Sequence, residues 1–167
     1  MTEPSLAPPI HHETVRPDWI DYNGHMNVAY YVLAFDHATD RLLDALGLGR
    51  DYAEREGRSI FVVESHIAYR RELQAGDPMA ITSRLLGFDD KRIHLFQRMT
   101  HADEGHLAAT MEIMAVHVDM ATRRTAPLPT AAEARLGPML QRHRSLVDPA
   151  EVGRAIAPPR RSAGPIA

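Results

Sequence analysis

The chain contains no cysteine among its 167 residues. Disulfide cross-links, a catalytic thiol, a Cys-ligated zinc site and an iron–sulfur cluster are therefore excluded, because each of them needs cysteine sulfur. Any nucleophile in this protein must be an oxygen or a nitrogen atom.

The sequence also lacks an excess of positive charge and any long apolar run. Its net charge of -3 gives no basic field of the kind that nucleic-acid binding needs. No segment approaches the roughly 20 apolar residues of a membrane span, and the first ten residues lack the features of a signal peptide. Both common nucleotide-binding glycine motifs are missing. We therefore expect a cytoplasmic protein that uses no cofactor. We also expect it to bind neither nucleic acid nor membranes.

Proline is concentrated at the two ends of the chain, with three prolines in the first ten residues and four in the last twenty. Proline removes a backbone donor and fixes its own torsion, so neither end favours regular structure. The length suits one domain. We predict a loose N-terminus over 1–9, one domain over 10–146 and a loose C-terminal tail over 147–167.

Within the domain, the spacing of apolar residues changes once, from a helical period to the alternation of strands. Apolar residues at steps of three and four predict a long helix from Val28 to Leu46, which Gly47 ends. A short strand precedes it, and a short helix over 51–56 follows it. Alternation then predicts four antiparallel strands joined by tight turns, over 60–69, 79–86, 92–100 and 106–119, before a weak helix over 131–142. One long helix against an antiparallel sheet is an α+β architecture.

A polar loop, Asp21-Tyr-Asn-Gly-His-Met-Asn27, comes directly before the long helix. One interpretation is purely structural: Asn27 caps the helix, and Gly24 and Asp21 form a turn. The other is catalytic. Amides near Asn27 and Val28 can stabilise an oxyanion at the helix start, while Asp21 attacks a carbonyl carbon or deprotonates a water. His25 then orients the loop, binds substrate or acts as a base.

This loop, followed by Tyr30-Tyr31, resembles the DxxGHxN signature of hotdog-fold acyl-CoA thioesterases of the 4-hydroxybenzoyl-CoA thioesterase type. The run from Ser65 to Tyr69 and the Gly76-Asp77 turn match a later strand and turn of that family. The resemblance implies a curved sheet wrapped around the long helix and a homodimer or homotetramer with acyl-CoA between subunits. It places the catalytic carboxylate on Asp21 and the carbonyl-polarising amide near Val28, where many members have a second Asn.

A narrower resemblance rests on three stretches, 64–77, 90–96 and 117–120. They are similar to the thioesterase domains fused to, or encoded beside, L-carnitine dehydrogenases. This implies hydrolysis of betainyl-CoA to glycine betaine and CoA in carnitine degradation. The alternatives are a thioesterase for another short or aromatic acyl-CoA, a non-catalytic acyl-CoA-binding hotdog module, and a dehydratase of related fold. The carboxylate of Asp21 argues against the binding module, because binding alone does not need it.

A trimethylammonium acyl group carries a fixed charge and donates no hydrogen bonds, so aromatic faces and a carboxylate suit it. Although aromatic residues make up only 6% of the chain, several of them surround the polar loop. Trp19, Tyr22 and Tyr30 are candidates for an aromatic cage, whereas Tyr31 and Phe35 lie on the apolar stripe and are expected in the core.

Charged residues of the strands supply further candidates. Glu64 and His66 share the predicted strand face of Ile60 and Val62, where a carboxylate needs either an arginine partner or the substrate cation. Four basic residues are candidate contacts for the CoA phosphates, or are simply solvated: Arg70, Arg71, Lys91 and Arg92.

The remaining histidines show no metal-ligand spacing, and we predict no metal site. His94 and His117 are expected in strands. Six others are expected in loops, termini or polar faces: His11, His12, His37, His101, His106 and His143.

Overall fold

The computed structural model describes residues 10–147 and 149–156. The predicted loose N-terminus over 1–9 and most of the predicted tail, at 148 and 157–167, lie outside the described residues. The helices and strands follow in this order: β1 Ile10–Thr14, a 3-10 turn Pro17–Trp19, α1 Val28–Leu46, α2 Arg50–Glu56, β2 Arg58–Tyr69, β3 Pro78–Phe88, β4 Arg92–His101, β5 Leu107–Asp119, β6 Arg124–Thr125 and α3 Thr130–His143.

Helix α1 begins and ends where the sequence predicts. The Asn27 side chain caps its first turn, and Gly47 closes it with a φ of 71°, a left-handed torsion that favours glycine. Its apolar stripe, which includes Tyr31, Phe35 and Leu42, is buried. The assignment of Tyr31 and Phe35 to the core is confirmed.

The strands form one antiparallel sheet in the order β1-β3-β4-β5-β2, with β6 paired to β5. The prediction that tight turns join all four long strands is wrong for β2 and β3. These two strands do not pair, because β2 pairs with β5 at one edge of the sheet while β3 lies between β1 and β4. Local alternation identifies a strand but does not specify its neighbour.

The core lies between α1 and one face of the sheet. Ile93, Leu95, Gln97 and Met99 of β4 are buried together, as their alternation predicts. The amide of Gln97 donates to the hydroxyls of Thr39 on α1 at 3.2 Å and Ser83 on β3 at 2.9 Å. A long helix enclosed by a curved antiparallel sheet confirms the α+β hotdog fold. Among the described helices, none is long and apolar enough to cross a membrane.

The opposite face of the sheet, here called the outer face, carries the chain that follows α3. Arg84 on β3 donates to the carbonyls of His143 at 3.0 Å and Leu146 at 2.8 Å. The amide of Gly153 donates to Glu112 on β5 at 2.7 Å. The described part of the predicted tail is thus hydrogen-bonded to the sheet.

Candidate functional site

The polar loop between β1 and α1 is closed on itself. The amide of Asp21 donates to the His25 carbonyl at 3.1 Å, and the amide of Gly24 donates to the Asp21 carbonyl at 3.0 Å. Gly24 has a φ of 81°, which allows this reversal. Backbone pairing of Ile20 with Met26 closes the base of the loop. These bonds hold the backbone of Asp21 in one position.

The Asp21 carboxylate is partly exposed and held at both oxygens. Oδ1 accepts a hydrogen bond from the Asn23 amide at 2.8 Å, and Oδ2 lies 3.4 Å from Nδ2 of Asn27. A carboxylate fixed in this way and still accessible can act on a bound thioester or on a water beside it.

Asn27 connects this carboxylate with the start of α1. Its side-chain Oδ1 accepts a hydrogen bond from the backbone amide of Ala29 at 2.9 Å, and its backbone amide donates to the carbonyl of Trp19 at 2.9 Å. Among the described residues, none accepts a hydrogen bond from the Val28 amide, the first of the helix. That N–H lies at the positive end of the helix dipole, where an oxyanion is stabilised. Asn27 is therefore both a helix cap and a contact of Asp21.

A cavity of ≈ 240 Å³ opens beside the start of α1. Four predicted site residues line it: His25, Val28, Arg70 and Arg71. Met26, Tyr31, Tyr69 and Glu72 complete its wall. Asp21 is not part of this wall and is linked to it through Asn27 and Val28.

Tyr31 and Tyr69 form the aromatic side of the cavity. Their rings meet edge to face, with centroids 5.2 Å apart. Tyr69 is 46% exposed, whereas Tyr31 is buried and burial raises its pKa above the ordinary value. Sequence reasoning gave neither Tyr69 nor Glu72 a role. The signal available for Tyr69 was its alternation with Ile67 at the end of β2, beside the turn to Gly76.

The three aromatic cage candidates do not stay together. Trp19 is buried and stacks on Tyr30, with centroids 5.2 Å apart and planes 8° from parallel. Tyr22 is 97% exposed at the tip of the loop. Within one chain, the structure thus brings Trp19 and Tyr30 together and leaves Tyr22 apart.

Glu64 and His66 lie on the other sheet face from the one predicted. The pairing of β2 with β5 slips between Val62 and Glu64, where Val63 forms a bulge. Ile60 and Val62 therefore lie on the core side of the sheet, where Val62 at the sheet edge stays partly exposed, but Glu64 and His66 face outward. A bulge inserts one residue and reverses the alternation beyond it, so the prediction of a shared face was wrong.

The four basic CoA candidates separate into two pairs. Arg70 and Arg71 follow β2 at the cavity and pair with Glu151 at 3.5 Å and Glu104 at 3.4 Å. Lys91 and Arg92 lie at the β3–β4 turn. The register of β4 and β5 places Arg92 opposite Val116, whereas β2 ends opposite Ala109, about 20 Å away along the strand.

Arg92 is already engaged in its own turn. Its side chain lies 2.6 Å from the Asp89 carboxylate, and the hydrogen bond from Arg92 is the main reason that the pKa of Asp89 falls to about 2. The four basic residues therefore do not form one cluster within a chain, and only Arg70 and Arg71 lie at the cavity.

The histidines also differ in part from prediction. His94 and His117 lie in β4 and β5 as expected. His11 and His12 lie in β1, with His12 on its exposed face. His101 and His143, expected in loops, termini or polar faces, are instead buried in β4 and α3. These positions depend on pairing and packing far along the chain, which sequence spacing does not report.

Comparisons with known proteins agree with this geometry. The family model described as the thioesterase-like superfamily matches residues 15–136. A protein of Pseudomonas aeruginosa named betainyl-CoA thioesterase is 36% identical over 87% of this chain and 91% of its own length. A Rhizobium meliloti protein named L-carnitine dehydrogenase/betainyl-CoA thioesterase is 37% identical, and the chain spans 29% of it.

One solved structure extends the comparison to the ligand. A hypothetical protein of Staphylococcus aureus, solved in complex with CoA, superposes with a TM-score of 0.85 at 30% identity. The match covers 94% of this chain and 100% of that one.

Proposed function

Because the chain belongs to the thioesterase-like superfamily and is a thioester hydrolase, we propose that it hydrolyses betainyl-CoA to glycine betaine and CoA. The observation that carries this proposal is the 36% identity to the Pseudomonas betainyl-CoA thioesterase, which extends over 91% of that protein.

Asp21 and Val28 supply the chemistry in this proposal. The thioester carbonyl oxygen accepts a hydrogen bond from the Val28 amide, whose position at the start of α1 stabilises the negative charge that develops there. In one route Asp21 removes a proton from the water that attacks the carbonyl carbon, the C–S bond breaks, and the proton held by Asp21 passes to the departing CoA sulfur. In the other route Asp21 itself attacks the carbonyl carbon, and the C–S bond breaks to leave an acyl-aspartyl anhydride. Water then hydrolyses this anhydride, which releases glycine betaine and restores the carboxylate, and a proton from that water goes to the CoA thiolate. His25 and Asn27 hold the loop in place.

The cavity beside α1 offers an aromatic and acidic place for the trimethylammonium group. Tyr69 exposes its ring next to Tyr31, and Glu72 adds a carboxylate to the same wall. Trp19 is less suitable, because it is buried against Tyr30. A cation over an aromatic face gains about 0.5–2 kcal/mol. We assign Tyr69 and Glu72 to this group and keep Tyr22, Tyr30, Glu64 and His66 as testable alternatives.

Arg70 and Arg71 are the best placed cations for the CoA phosphates. Both line the cavity and both are at least one third exposed. Their ion pairs with Glu151 and Glu104 are surface contacts, which contribute little and exchange readily for a phosphate. A cavity of ≈ 240 Å³ is smaller than the pockets of roughly 300–1,000 Å³ that enclose drug-sized ligands. The acyl group therefore occupies it, while the CoA phosphates lie outside it against the exposed sides of Arg70 and Arg71.

We propose a homodimer whose contact includes the edge strand β2. This strand of 12 residues ends the sheet and exposes Val62 and Val63, at 47% and 58%. A long edge strand with exposed apolar side chains pairs readily with another strand. Val63→Lys is expected to lower the mass measured by analytical ultracentrifugation towards that of one chain, whereas Val147→Lys, at a position 93% exposed beyond the sheet, leaves it unchanged. A Val63→Lys variant with unaltered mass would remove β2 from the interface.

A panel of thioesters tests the proposed function. Release of free CoA is measured with betainyl-CoA, acetyl-CoA and benzoyl-CoA, and betainyl-CoA is expected to give the highest kcat/KM. Faster hydrolysis of acetyl-CoA or benzoyl-CoA would transfer the assignment to the corresponding acyl class. Binding of all three without release of CoA would indicate an acyl-CoA-binding module.

Variants at Asp21 test the catalytic assignment. Asp21→Ala is expected to lower kcat by about 10²–10⁴-fold with little effect on CoA affinity, since a positioned acid or base contributes that much. Asp18→Ala removes a nearby exposed carboxylate that pairs with Arg16 outside the loop, and it is expected to retain activity. Near wild-type turnover in Asp21→Ala would remove Asp21 from the mechanism.

A further inference from the structure

Three side chains from two distant parts of the sequence meet on the surface between β1 and α1. His11 and Glu13 project from the same face of β1, and His37 reaches them from α1. Nε2 of His11 and Nδ1 of His37 each lie 3.0 Å from Oε2 of Glu13. All three candidate ligand atoms lie within 4.8 Å of one another.

The chemistry of this cluster fits a transition metal. Two imidazole nitrogens and one carboxylate oxygen are ligands that Zn²⁺ accepts, and three protein ligands with one open position make a four-coordinate site. Metal–ligand bonds of about 2.0–2.1 Å place tetrahedral ligands about 3.3 Å apart, close to the 3.0 Å between Oε2 of Glu13 and each of the two histidine nitrogens. The candidate ligand atoms of His11 and His37 lie within 4.8 Å of each other.

The hydrogen bonds inside the cluster can rearrange to admit a cation, because both of them run between Glu13 and a histidine ring nitrogen. Each neutral imidazole can carry its proton on either ring nitrogen. His11 and His37 can therefore free the nitrogens that face Glu13 without any change of charge.

We propose that His11, Glu13 and His37 form a binding site for a divalent transition metal ion, Zn²⁺ in the first place, that fastens β1 to α1. Among the residues that the structure describes, no other group of three ligand side chains is drawn together in this way. Sequence spacing does not show it, because His37 is 24 residues from Glu13.

The site is separate from the candidate active site. His37 follows Val28 by nine residues on α1, which corresponds to about 14 Å along the helix axis. The ion therefore acts on stability. Among the described strands, β1 pairs only with β3. A ligand that binds the folded state alone raises the free energy of unfolding by RT ln(1 + [L]/Kd), that is, with the logarithm of its concentration once it exceeds Kd.

The experiment uses the full chain without an affinity tag, freed of metal by chelation and dialysis. Isothermal titration with Zn²⁺ is expected to show one ion per chain, and thermal unfolding is expected to shift to higher Tm. Mg²⁺, which prefers oxygen ligands, is expected to do neither. Thiolates contribute nothing, because the chain has no cysteine.

Matched variants assign the site. His37→Gln and His11→Gln are each expected to weaken Zn²⁺ binding more than about tenfold, a loss that even indirect partners of a metal can cause, and to abolish the Tm shift. His12→Gln is the control, because His12 is exposed on the opposite face of β1. Equal Zn²⁺ affinity in all three variants and the native chain, or no binding by the native chain, would overturn the proposal.

Discussion

The hydroxyl of Tyr31 accepts a hydrogen bond from the amide of Leu73 at 3.1 Å. The carbonyl of Leu73 in turn accepts from the amide of Met26 at 2.8 Å. Leu73 is fully buried, and it lies in the connection that carries the chain from β2 to β3. This pair of bonds ties that connection to α1 on one side and to the polar loop on the other.

Tyr31→Phe is expected to destabilise the protein by about 1–3 kcal/mol, because the buried Leu73 amide loses its acceptor. Urea unfolding measures the difference. Tyr22→Phe removes a hydroxyl from a ring that is 97% exposed, so it is expected to change the free energy of unfolding by no more than about 0.5 kcal/mol. Equal stability of both variants would mean that water replaces the Tyr31 hydroxyl.

Asn27→Ser separates the two contacts of Asn27. Serine caps a helix about as well as asparagine, so the free energy of unfolding is expected to change by less than about 0.5 kcal/mol. Serine does not reach Asp21, so the carboxylate loses a donor and kcat is expected to fall about tenfold, as when a positioning contact is lost. Asn23→Ser retains the backbone donor to Asp21 and serves as the control. An unchanged kcat in Asn27→Ser would show that Asp21 does not need this contact.

Arg70→Gln and Arg71→Gln are expected to raise KM for CoA thioesters and to make KM less dependent on salt, because each removes a cation at the cavity. Arg92→Gln is the matched control at the far end of the sheet, where Asp89 holds the arginine. Steady-state kinetics at low and high ionic strength distinguish them. A larger KM effect in Arg92→Gln would transfer the phosphate contact to the β3–β4 turn.

His143 predicts a dependence of stability on pH. Burial, together with the positive charges of Arg84 on β3 and Arg142 on α3, holds the pKa of His143 below its ordinary value. Its Nδ1 accepts from the Leu85 amide at 2.9 Å, a bond that the neutral ring provides. The unfolded chain therefore binds more protons just below about pH 6.5, and the free energy of unfolding falls as the pH falls through that window.

His143→Asn keeps an acceptor for the Leu85 amide but does not titrate. Its free energy of unfolding is expected to depend less on pH than that of the native chain just below about pH 6.5. Chemical denaturation at several pH values measures the slope. His12→Asn, at an exposed position, is expected to keep the native slope. An identical slope in His143→Asn would assign the dependence to other groups.

Local sequence patterns predict the helices and strands well. The stripe of α1 and the caps at Asn27 and Gly47 depend on neighbours within a few turns, so the bounds follow from the sequence. The order of the strands in the sheet does not follow from local sequence, since β2 pairs with β5, about 50 residues away along the chain. The bulge at Val63 also has no local signal, and it alone decides that Glu64 faces outward.

The candidate site likewise contains residues that local sequence predicts and residues that only the fold brings together. Asp21, Asn27 and Val28 lie within eight residues of one another, so the sequence predicts their arrangement around the helix start. Tyr69 and Glu72 reach the cavity only through the fold, because Leu73 brings the end of β2 to the polar loop. The assignment of all these residues to substrate binding or catalysis stays a prediction, as does the cytoplasmic location.

The stack of Trp19 on Tyr30 gives the protein an internal optical probe. Trp19 is the single tryptophan of the chain, and it lies two residues before Asp21 with its ring almost entirely shielded from solvent. Emission excited at the indole band therefore originates at one point, the 3-10 turn between β1 and the polar loop. Any substitution or ligand that alters the packing of Trp19 against α1 would change that emission in the unmodified protein.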